Sequence, residues 1–448
     1  MNRRTFLTTT ATAALPAQTA PRPNVIFILA DDLGWKDLGH RGGPMRTPHL
    51  DRLAQEGLRL EQAYSFPLCS PTRSALMTGR NPMRLGLAYS VVRPWSPYGL
   101  DPRETTVANV FHDAGSQTAM CGKWHLGHTN KRLTPNARGF DHFYGHVNGA
   151  IDYFTHERDG GLDWQRNGKS LREEGYTTFL LANEAQRWIK ARDKARPFFL
   201  YLPFNAPHTP LQAPPELLDR YANISDPKRR AYVAMVDALD QAVGRVLETV
   251  NAEGIANQTL VVFWSDNGGP RPQGADNGPL RSSKANVFEG GIRVPAIWHW
   301  PGRLKPGTSQ QVMAIWDVLP TLAAACGIPV KTARPLDGVN VWPELTGGTT
   351  RQRDNLLWAV HESQTRQLAL RDGNWKYVRI GEQEMLFDVA ADPYEKADRA
   401  AQEPQRVKAM RTRVDEWTAL HPKAEIFHGG GAHPGFVVPK DWATLAVE

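Results

Sequence analysis

Cys69-Ser70-Pro71-Thr72-Arg73-Ser74-Ala75-Leu76-Met77-Thr78-Gly79-Arg80 is the most informative stretch of the chain. Proline suits the first turn of a helix, and the small and apolar residues after Pro71 predict a short helix. Cys69 is therefore expected beside a helix N-terminus, whose free N–H groups favour bound oxyanions. Arg73 follows one turn later and offers a planar fork to a sulfate or a phosphate. The alternative is a small buried cysteine that only packs in the core.

Apolar runs predict the strands around this stretch. Val25–Ala30 ends in Asp31-Asp32, and Thr259–Trp264 leads to Asp266-Asn267. Such runs are typical of strands buried on both faces, and the carboxyl ends of parallel strands form the edge where ligands bind. Adjacent carboxylates repel unless a cation lies between them, and Asp266 and Asn267 supply hard oxygen ligands. A solvated loop is the alternative for Asp31-Asp32. Leu58–Ser65 is predicted as a strand that leads to Cys69.

Further polar residues follow other predicted strands and turns. Lys123 and His125 come after the short strand Thr118–Cys121 and, two residues apart in extended chain, project to the same side. His208 lies in a loop between two prolines, which fix its direction. Lys284 comes shortly after Pro279-Leu280-Arg281. Surface lysines and histidines are common, so each of these residues is ambiguous when taken alone.

Strands alternate with helices over most of the chain. This alternation, with polar residues at successive strand ends, predicts an α/β fold with a mostly parallel sheet over residues 21–345. Further on, short strands separated by turns, such as Leu357–Val360 and Trp375–Val378, predict a small antiparallel sheet closed by a helix at Pro404–Leu420. We therefore expect a catalytic domain at 21–345 and a C-terminal subdomain at 346–448.

The composition bounds the class of protein. The chain has 448 residues, of which 41% are hydrophobic and 22% charged, as in globular proteins. Its net charge of +7 suits a polyanionic partner without choosing between nucleic acid, a membrane surface and a sulfated glycan. No block of lysine and arginine and no nucleic-acid-binding motif is visible, so we expect no nucleic-acid partner. Of the three cysteines, Cys121 and Cys326 lie in apolar contexts that predict core packing.

The N-terminus resembles a twin-arginine export signal. Arg3-Arg4 precedes a mildly apolar stretch rich in alanine and threonine, Thr8–Ala17. We expect a signal at residues 1–20 that is cleaved near its end, and therefore a bacterial protein that is periplasmic or secreted. A mitochondrial presequence is the alternative. This stretch is too short and too polar to span a bilayer, and no other stretch is apolar enough, so we expect no stable membrane insertion.

The pattern Cys-x-Pro-x-Arg followed by Ser-Ala-Leu-Met-Thr-Gly-Arg resembles the signature of the type I sulfatases. In that family a separate maturation enzyme oxidises the cysteine to formylglycine, and the hydrate of this aldehyde is the nucleophile. The resemblance implies the same modification of Cys69. It also implies an alkaline-phosphatase-like fold, with a large, mixed and mostly parallel sheet flanked by helices, and a smaller C-terminal α/β domain with an antiparallel sheet.

The resemblance implies roles for the polar residues at the strand ends. Oxygen donors would bind calcium together with residue 69, and cationic side chains would neutralise the charge of the sulfuryl group. Two histidines would handle protons, one as a base and one on the side of the leaving group. The implied metal ligands are Asp31, Asp32, Cys69, Asp266 and Asn267. The implied catalytic residues are Cys69, Arg73, Lys123, His125, His208 and Lys284.

Other stretches indicate a substrate class. Gly139–Gly145, Asp152–Glu157 and Asn277–Arg281 resemble those of arylsulfatase B, the N-acetylgalactosamine 4-sulfatase branch of the family. This resemblance implies a sulfated carbohydrate as substrate, either a glycosaminoglycan or another sulfated glycan. The aromatic side chains Tyr153, His156 and Trp298 are either platforms for sugars or members of the core.

Two further hypotheses remain at the level of the sequence. The first is a phosphodiesterase or phosphonate monoester hydrolase of the same superfamily. The second is a protein that binds sulfated glycans without catalysis, in which Cys69 stays a thiol.

Overall fold

The computed structural model describes residues 22–361, 365–422, 433 and 435–445. The predicted export signal at 1–20 lies outside the described residues. The strands are β1 (Asn24–Ala30), β2 (Leu58–Leu60), β3 (Ala63–Tyr64), β4 (Gln117–Lys123), β5 (His142–His146), β6 (Glu157–Arg158), β7 (Gly161–Leu162), β8 (Gln165–Arg166), β9 (Lys169–Ser170), β10 (Phe198–Pro203), β11 (Thr259–Ser265), β12 (Ala296–His299), β13 (Gly307–Ser309), β14 (Met313–Ala314), β15 (Leu356–Val360), β16 (Gln367–Asp372), β17 (Trp375–Ile380) and β18 (Gln383–Asp388).

Helices flank these strands along the chain. The α-helices are α1 (Pro48–Glu56), α2 (Cys69–Thr78), α3 (Pro82–Leu85), α4 (Val107–Asp113), α5 (Thr177–Ala191), α6 (Pro215–Arg220), α7 (Pro227–Ala252), α8 (Glu289–Ile292), α9 (Val318–Ala325), α10 (Trp342–Leu345) and α11 (Pro404–Ala419). Local sequence explains several of their ends. Asp226 caps the N-terminus of α7, where Pro227 lacks the N–H that a helix leaves unpaired there. Gly79 ends α2 in a left-handed conformation that glycine adopts without strain.

One large sheet carries the architecture. Its strand order is β13-β2-β12-β11-β1-β10-β4-β5-β8-β9. The central strands β11, β1, β10, β4 and β5 pair in parallel, whereas the pairings of β12 with its two neighbours, and of β8 with its two, are antiparallel. The predicted mixed, mostly parallel α/β sheet is therefore confirmed.

The sheet is covered by helices on both faces. Val25, Phe27 and Leu29 of β1 pack in the apolar layer that contains α2, α4 and α9. Ile26 and Ile28, which alternate with them, pack in the opposite layer with α1, α5 and α7. A strand buried on both faces needs apolar residues at every position, which is why β1 is a continuous apolar run.

The second sheet is small and antiparallel, with strand order β15-β16-β17-β18. One face packs against α11, and the other joins the core of the large domain through residues such as Trp358 and Val378. This sheet matches the predicted smaller antiparallel unit. It lies within the range 346–448 that the sequence predicts as a C-terminal subdomain, and the boundary near 345 stays a prediction.

Two other expectations concern cysteines and membranes. Cys121 and Cys326 are buried and free, as the apolar contexts predict. Among the described residues, no helix has both the length and the apolar character that crossing a membrane requires.

Candidate active site

Neighbouring strand ends bring the predicted carboxylates together. Asp31 and Asp32 follow β1, and Asp266 and Asn267 follow β11, which pairs in parallel with β1 up to the register Ala30–Ser265. The backbone N–H of Asp32 donates to Asp266 Oδ1 at 3.2 Å, and Asn267 Nδ2 donates to Asp32 Oδ1 at 2.7 Å. All four side chains are buried. Parallel pairing explains their proximity, because carboxyl ends of parallel strands meet at the same edge of a sheet.

Cys69 is the first residue of α2 and points at this group of carboxylates. Its Sγ lies 3.5 Å from Asp31 Oδ1, 3.7 Å from Asn267 Oδ1 and 3.7 Å from Lys284 Nζ. Burial, and after it the negative charge of Asp31, raises the pKa of the Cys69 thiol. Because the thiolate is the reactive form, the unmodified thiol is a weak nucleophile in this environment.

Each carboxylate of the cluster pairs with at least one cationic side chain. Arg73 donates to Asp266 Oδ2 through Nη2 at 2.9 Å and Nε at 3.2 Å. Lys123 pairs with Asp31, and Lys284 Nζ lies 2.7 Å from Asp32 Oδ1. Charges in a buried site have to be compensated, and here each carboxylate has a partner.

The carboxylates differ in how readily they ionise. Burial acts to raise the pKa of Asp31, but Lys123, His208, Arg73 and Lys284 outweigh it and hold that pKa well below the ordinary value. Burial and the neighbouring charge of Asp31 raise the pKa of Asp266 to about 7. Like charges in close contact oppose each other's ionisation, so an additional cation would stabilise the fully ionised group.

The site contains two histidines with different bonding. His125 Nε2 lies 2.9 Å from the carbonyl oxygen of Val92, so Nε2 carries the hydrogen and Nδ1 is the free acceptor. That Nδ1 is buried and has no hydrogen-bond partner among the described residues. His208 Nδ1 lies 2.7 Å from the carbonyl oxygen of Thr209, which leaves Nε2 facing Asp32 at 3.7 Å.

Both imidazoles are neutral at neutral pH. Burial, and then the positive charge of Lys123, lowers the pKa of His125 well below its ordinary value. Burial and the charge of Lys284 lower the pKa of His208 to about 4. Each ring is therefore able to accept a proton on the nitrogen that does not bond to a carbonyl.

The buried ligand atoms are close enough to bind a metal ion. One ligand atom from each of Asp31, Asp32, Cys69 and His208 lies within 4.8 Å of the others. Asp266 and Asn267 add oxygen atoms at the same edge. A donor set dominated by carboxylate and amide oxygens suits a hard divalent cation better than zinc, which prefers nitrogen and sulfur ligands.

A cavity of about 160 Å³ opens onto this group. Its lining includes Cys69, His125, His208 and Lys284, so residues predicted from distant parts of the sequence face one space. Arg73 and Lys123 lie behind the carboxylates and are fully buried. The structure thus brings together all the predicted site residues, namely Asp31, Asp32, Cys69, Arg73, Lys123, His125, His208, Asp266, Asn267 and Lys284.

Several residues of the site were missed from the sequence. Ser70 Oγ donates to the carbonyl oxygen of His125 at 2.8 Å and accepts from the N–H of Val92 at 3.0 Å, which joins the two loops. Gly149 lies against the ring of His125, where a Cβ would come within 2.5 Å of the ring. Arg158 lines the cavity. The position of Ser70 directly after Cys69 could have indicated that it belongs to the site. Gly149 and Arg158 lie in no recognisable motif, so the sequence offered no such indication for them.

The aromatic residues considered as sugar platforms belong to the core. Tyr153, His156 and Trp298 are all at most 1% exposed. The hydroxyl of Tyr153 donates to the carbonyl oxygens of Asn205 and His208 and so supports the loop that carries His208. A sugar therefore has no access to these rings.

Comparisons with known proteins show the family to which this chain belongs. The family model described as Sulfatase matches residues 23–328. Arylsulfatase J of Mus musculus is 32% identical over 88% of this chain and 76% of its own length. N-acetylgalactosamine-6-sulfatase of Homo sapiens is 35% identical over 75% of this chain and 68% of its own length. The crystal structure of Ps i-CgsB in complex with k-i-k-neocarrahexaose is 34% identical, with a TM-score of 0.86 over 91% of this chain and 95% of that chain.

These matches, with the fold and the charged site, define a hydrolase of sulfuric esters. The chain belongs to the sulfatase family, as its central motif predicts.

Proposed function

We propose that the protein removes sulfate from a sulfated carbohydrate through a formylglycine made from Cys69 and with a bound calcium ion. The observation that carries this proposal is the position of Cys69. Its thiol lies within 3.7 Å of Asp31, Asn267 and Lys284, at the edge where carboxylates and cations meet. The raised pKa of the thiol also favours a role for Cys69 that does not depend on a thiolate.

The residues at the strand ends fit the ion and the modified residue. Asp31, Asp32, Asp266 and Asn267 would hold the calcium ion, which supplies positive charge that polarises the sulfate ester. The hydrate of formylglycine at position 69 would supply the oxygen nucleophile.

The protein's own cations would neutralise the negative charge of the sulfate group. Lys284 lies closest to the thiol of Cys69, and Arg73 and Lys123 place two further positive charges behind the carboxylates. Fixed cations that face a developing negative charge stabilise a transition state without reorganising. The cavity of about 160 Å³ suits a sulfate group and the ester oxygen rather than a whole sugar.

The side chains that would transfer protons already have the protonation state that each transfer requires. Asp32 and other acidic neighbours outweigh burial and raise the pKa of Lys284, so its ammonium stays protonated and would hold the proton that the departing alkoxide needs. Neutral His208 lies on the same side, with Nε2 free of any carbonyl. His125 would act as the base through its unpartnered Nδ1. Hydrolysis then releases the alcohol, sulfate and one proton for each water consumed.

The substrate class rests on relatives. One similar structure holds a neocarrahexaose, and one similar enzyme carries the name N-acetylgalactosamine-6-sulfatase. We therefore infer a sulfated glycan as the substrate of this chain and a formylglycine-generating enzyme as its maturation partner. Residues 1–20 would direct export to the periplasm or beyond, and 21–345 would form the catalytic domain ahead of the C-terminal subdomain at 346–448.

Mass analysis combined with turnover tests the proposal. The protein is made with and without a formylglycine-generating enzyme, and the peptide that contains Cys69 is weighed. Modification exchanges sulfur for oxygen and removes two hydrogens. We expect the release of sulfate from 4-nitrophenyl sulfate and from sulfated disaccharides to follow the modified fraction and to vanish in Cys69→Ala. Faster turnover of 4-nitrophenyl phosphate would favour a phosphoester hydrolase instead, and a Cys69→Ala rate near wild type would contradict the proposal.

A further inference from the structure

The loop at 281–289, which carries Lys284, has a strained backbone on both sides of that residue. Ser282 adopts a φ of 68° and Ala285 a φ of 63°, in a region of conformational space that residues other than glycine rarely occupy. Such conformations cost free energy and persist only where the surrounding structure holds them. The contacts of this loop therefore determine where the ammonium of Lys284 lies.

Glu395 contacts both ends of the loop. It lies between β18 and α11, 106 positions after Glu289. Its backbone carbonyl oxygen accepts a hydrogen bond from Arg281 Nη1 at 2.9 Å, and its Oε2 accepts from the backbone N–H of Glu289 at 2.7 Å. The carbonyl oxygen of Arg281 also accepts from the N–H of Gly290 at 2.7 Å. The two ends of the loop are thus held together, and Glu395 is bonded to each of them.

Lys376 of β17 fixes the carboxylate of Glu395. Its Nζ lies 2.8 Å from Glu395 Oε1 and 2.9 Å from Glu289 Oε1, and all three side chains are fully buried. A buried charge is costly unless it is paired, and the ammonium compensates both carboxylates. The hydroxyl of Tyr64 donates to Glu289 Oε2 at 2.8 Å. Ion pairs in the interior therefore connect the small antiparallel sheet to the end of the loop.

The conformation of Glu395 is itself costly. The residue is 1% exposed and adopts a φ of 55°. A buried ion pair is often no more stabilising than apolar side chains of the same volume. Stability alone therefore explains this arrangement less well than a role in holding the loop does.

We propose that Glu395 is a positioning residue for Lys284, which binds both ends of the loop at 281–289 and so keeps the ammonium beside Asp32 and Cys69. The inference rests on the proposed function, in which Lys284 binds sulfate and protonates the departing alcohol. It adds that the small sheet takes part in catalysis by fixing this lysine. The described lining of the cavity of about 160 Å³ above Cys69 does not include Glu395, so Glu395 acts through the loop.

Hydrogen exchange and kinetics on the full chain test the proposal. Glu395→Ala removes the carboxylate, whereas Glu395→Gln keeps an acceptor for the N–H of Glu289 and leaves Lys376 paired with Glu289. Glu382→Gln, at an exposed position between β17 and β18, is the matched control. Hydrogen–deuterium exchange of the peptides that cover 281–289 is measured on the unmodified protein, which makes this readout independent of activity. Values of kcat and KM are measured on the modified enzyme with 4-nitrophenyl sulfate and with a sulfated disaccharide.

We expect Glu395→Ala to speed exchange at 281–289 by about tenfold or more, as for a lost hydrogen bond to a charged acceptor, while β1 and α7 exchange as in the wild type. We expect kcat to fall by about ten- to hundredfold with little change in KM, because a displaced catalytic group loses its alignment. The loss should be larger for the disaccharide, whose alcohol needs a proton to leave. Glu395→Gln should recover part of kcat, and the Glu382→Gln control should match the wild type in exchange and in kcat.

The two readouts separate this inference from the proposed function. In an active enzyme, unchanged exchange at 281–289 in Glu395→Ala, or unchanged kcat despite faster exchange there, would overturn the positioning role and leave the proposed function standing. Faster exchange throughout the chain would also overturn it, because Glu395 would then serve stability alone. If the modified wild-type protein releases no sulfate but Glu395→Ala frees only residues 281–289, the proposed function fails and the positioning of Lys284 stands.

Discussion

Lys284 Nζ lies 2.7 Å from Asp32 Oδ1, although the two residues are 252 positions apart in the chain. The same ammonium lies 3.7 Å from Cys69 Sγ, so it contacts both a carboxylate of the proposed metal site and the residue that would be modified. An ammonium with a raised pKa in this position is charged at any physiological pH. We therefore expect it both to bind sulfate and to protonate the departing oxygen.

Replacing Lys284 tests these two functions. We expect Lys284→Ala to lower kcat by about 10²–10⁴, the range typical of a lost general acid. The loss should be larger for a sulfated sugar than for 4-nitrophenyl sulfate, because nitrophenolate leaves without protonation. Lys305→Ala, an exposed lysine elsewhere on the chain, serves as control. An equal loss for both substrates would assign Lys284 to sulfate binding alone.

Gln367 of the small sheet supports the loop that carries Lys284. Its Nε2 donates to the carbonyl oxygen of Ala285 at 3.3 Å, and its Oε1 accepts from the N–H of Val287 at 3.4 Å. This side-chain amide therefore holds the backbone directly after Lys284, where Ala285 adopts a positive φ of 63°.

Gln367→Leu keeps the volume of the side chain and removes both hydrogen bonds. Each bond contributes about 1 kcal/mol, so we expect a small loss of melting temperature. We also expect a fall in kcat of about three- to thirtyfold, which corresponds to a rise of about 0.6–2 kcal/mol in the activation free energy when Lys284 is less well placed. A lower kcat with little change in KM, and with the same dependence on the leaving group as Lys284→Ala, distinguishes positioning from a purely structural effect. Gln383→Leu, exposed on β18, is the matched control.

The sequence was sufficient to predict the centre of the fold because β1 and β11 are apolar on both faces and end in carboxylates. It was less informative where elements are short. Leu58–Ser65 was predicted as one strand, but β2 (Leu58–Leu60) joins the large sheet and β3 (Ala63–Tyr64) pairs with β14 instead. The sequence of such a short run does not show that its two halves pair with different strands, because the choice of pairing strand depends on contacts with distant residues.

The candidate site shows the same contrast. Asp31, Asp266 and Lys284 were predicted because strand ends and a family motif mark them. Arg158 was not, because β6 has two residues and no hydrophobic pattern. Tertiary packing alone places this side chain beside the cavity above Cys69.

The pH dependence of stability has one predictable contribution outside the site. Asp240 of α7 accepts the N–H groups of His49 and Leu50 at the start of α1, and burial raises the pKa of its carboxyl to about 7. The folded state thus binds more protons than the unfolded state between pH 4 and 7, and the free energy of unfolding falls as pH rises through that window. We expect a fall of more than about 1 kcal/mol.

Urea unfolding at pH 4.5 and 7 measures this contribution. Asp240→Asn should flatten the difference between the two pH values, even though it also removes one acceptor and lowers stability at both. Asp219→Asn, an exposed carboxyl on α6, should leave the difference as it is in the wild type. A wild-type slope in Asp240→Asn would show that other groups set the pH dependence.

Removal of the proposed metal ion provides the most direct test of the carboxylate cluster. Asp31, Asp32 and Asp266 crowd three carboxylates at one edge, and a divalent cation bound there would relieve their repulsion in the folded state only. Excess chelator should therefore abolish sulfate release and lower the melting temperature, and calcium should restore both better than zinc. At a calcium concentration of 100 times Kd the stabilisation amounts to about 2.7 kcal/mol, which raises the melting temperature of a chain of this length by about three degrees.

Asp266→Asn should retain the fold but lose most of the calcium-dependent rise in melting temperature, whereas Asp219→Asn should keep it. A melting temperature that is indifferent to chelator and calcium in the wild-type protein would mean that these carboxylates are balanced by Arg73, Lys123 and Lys284 alone.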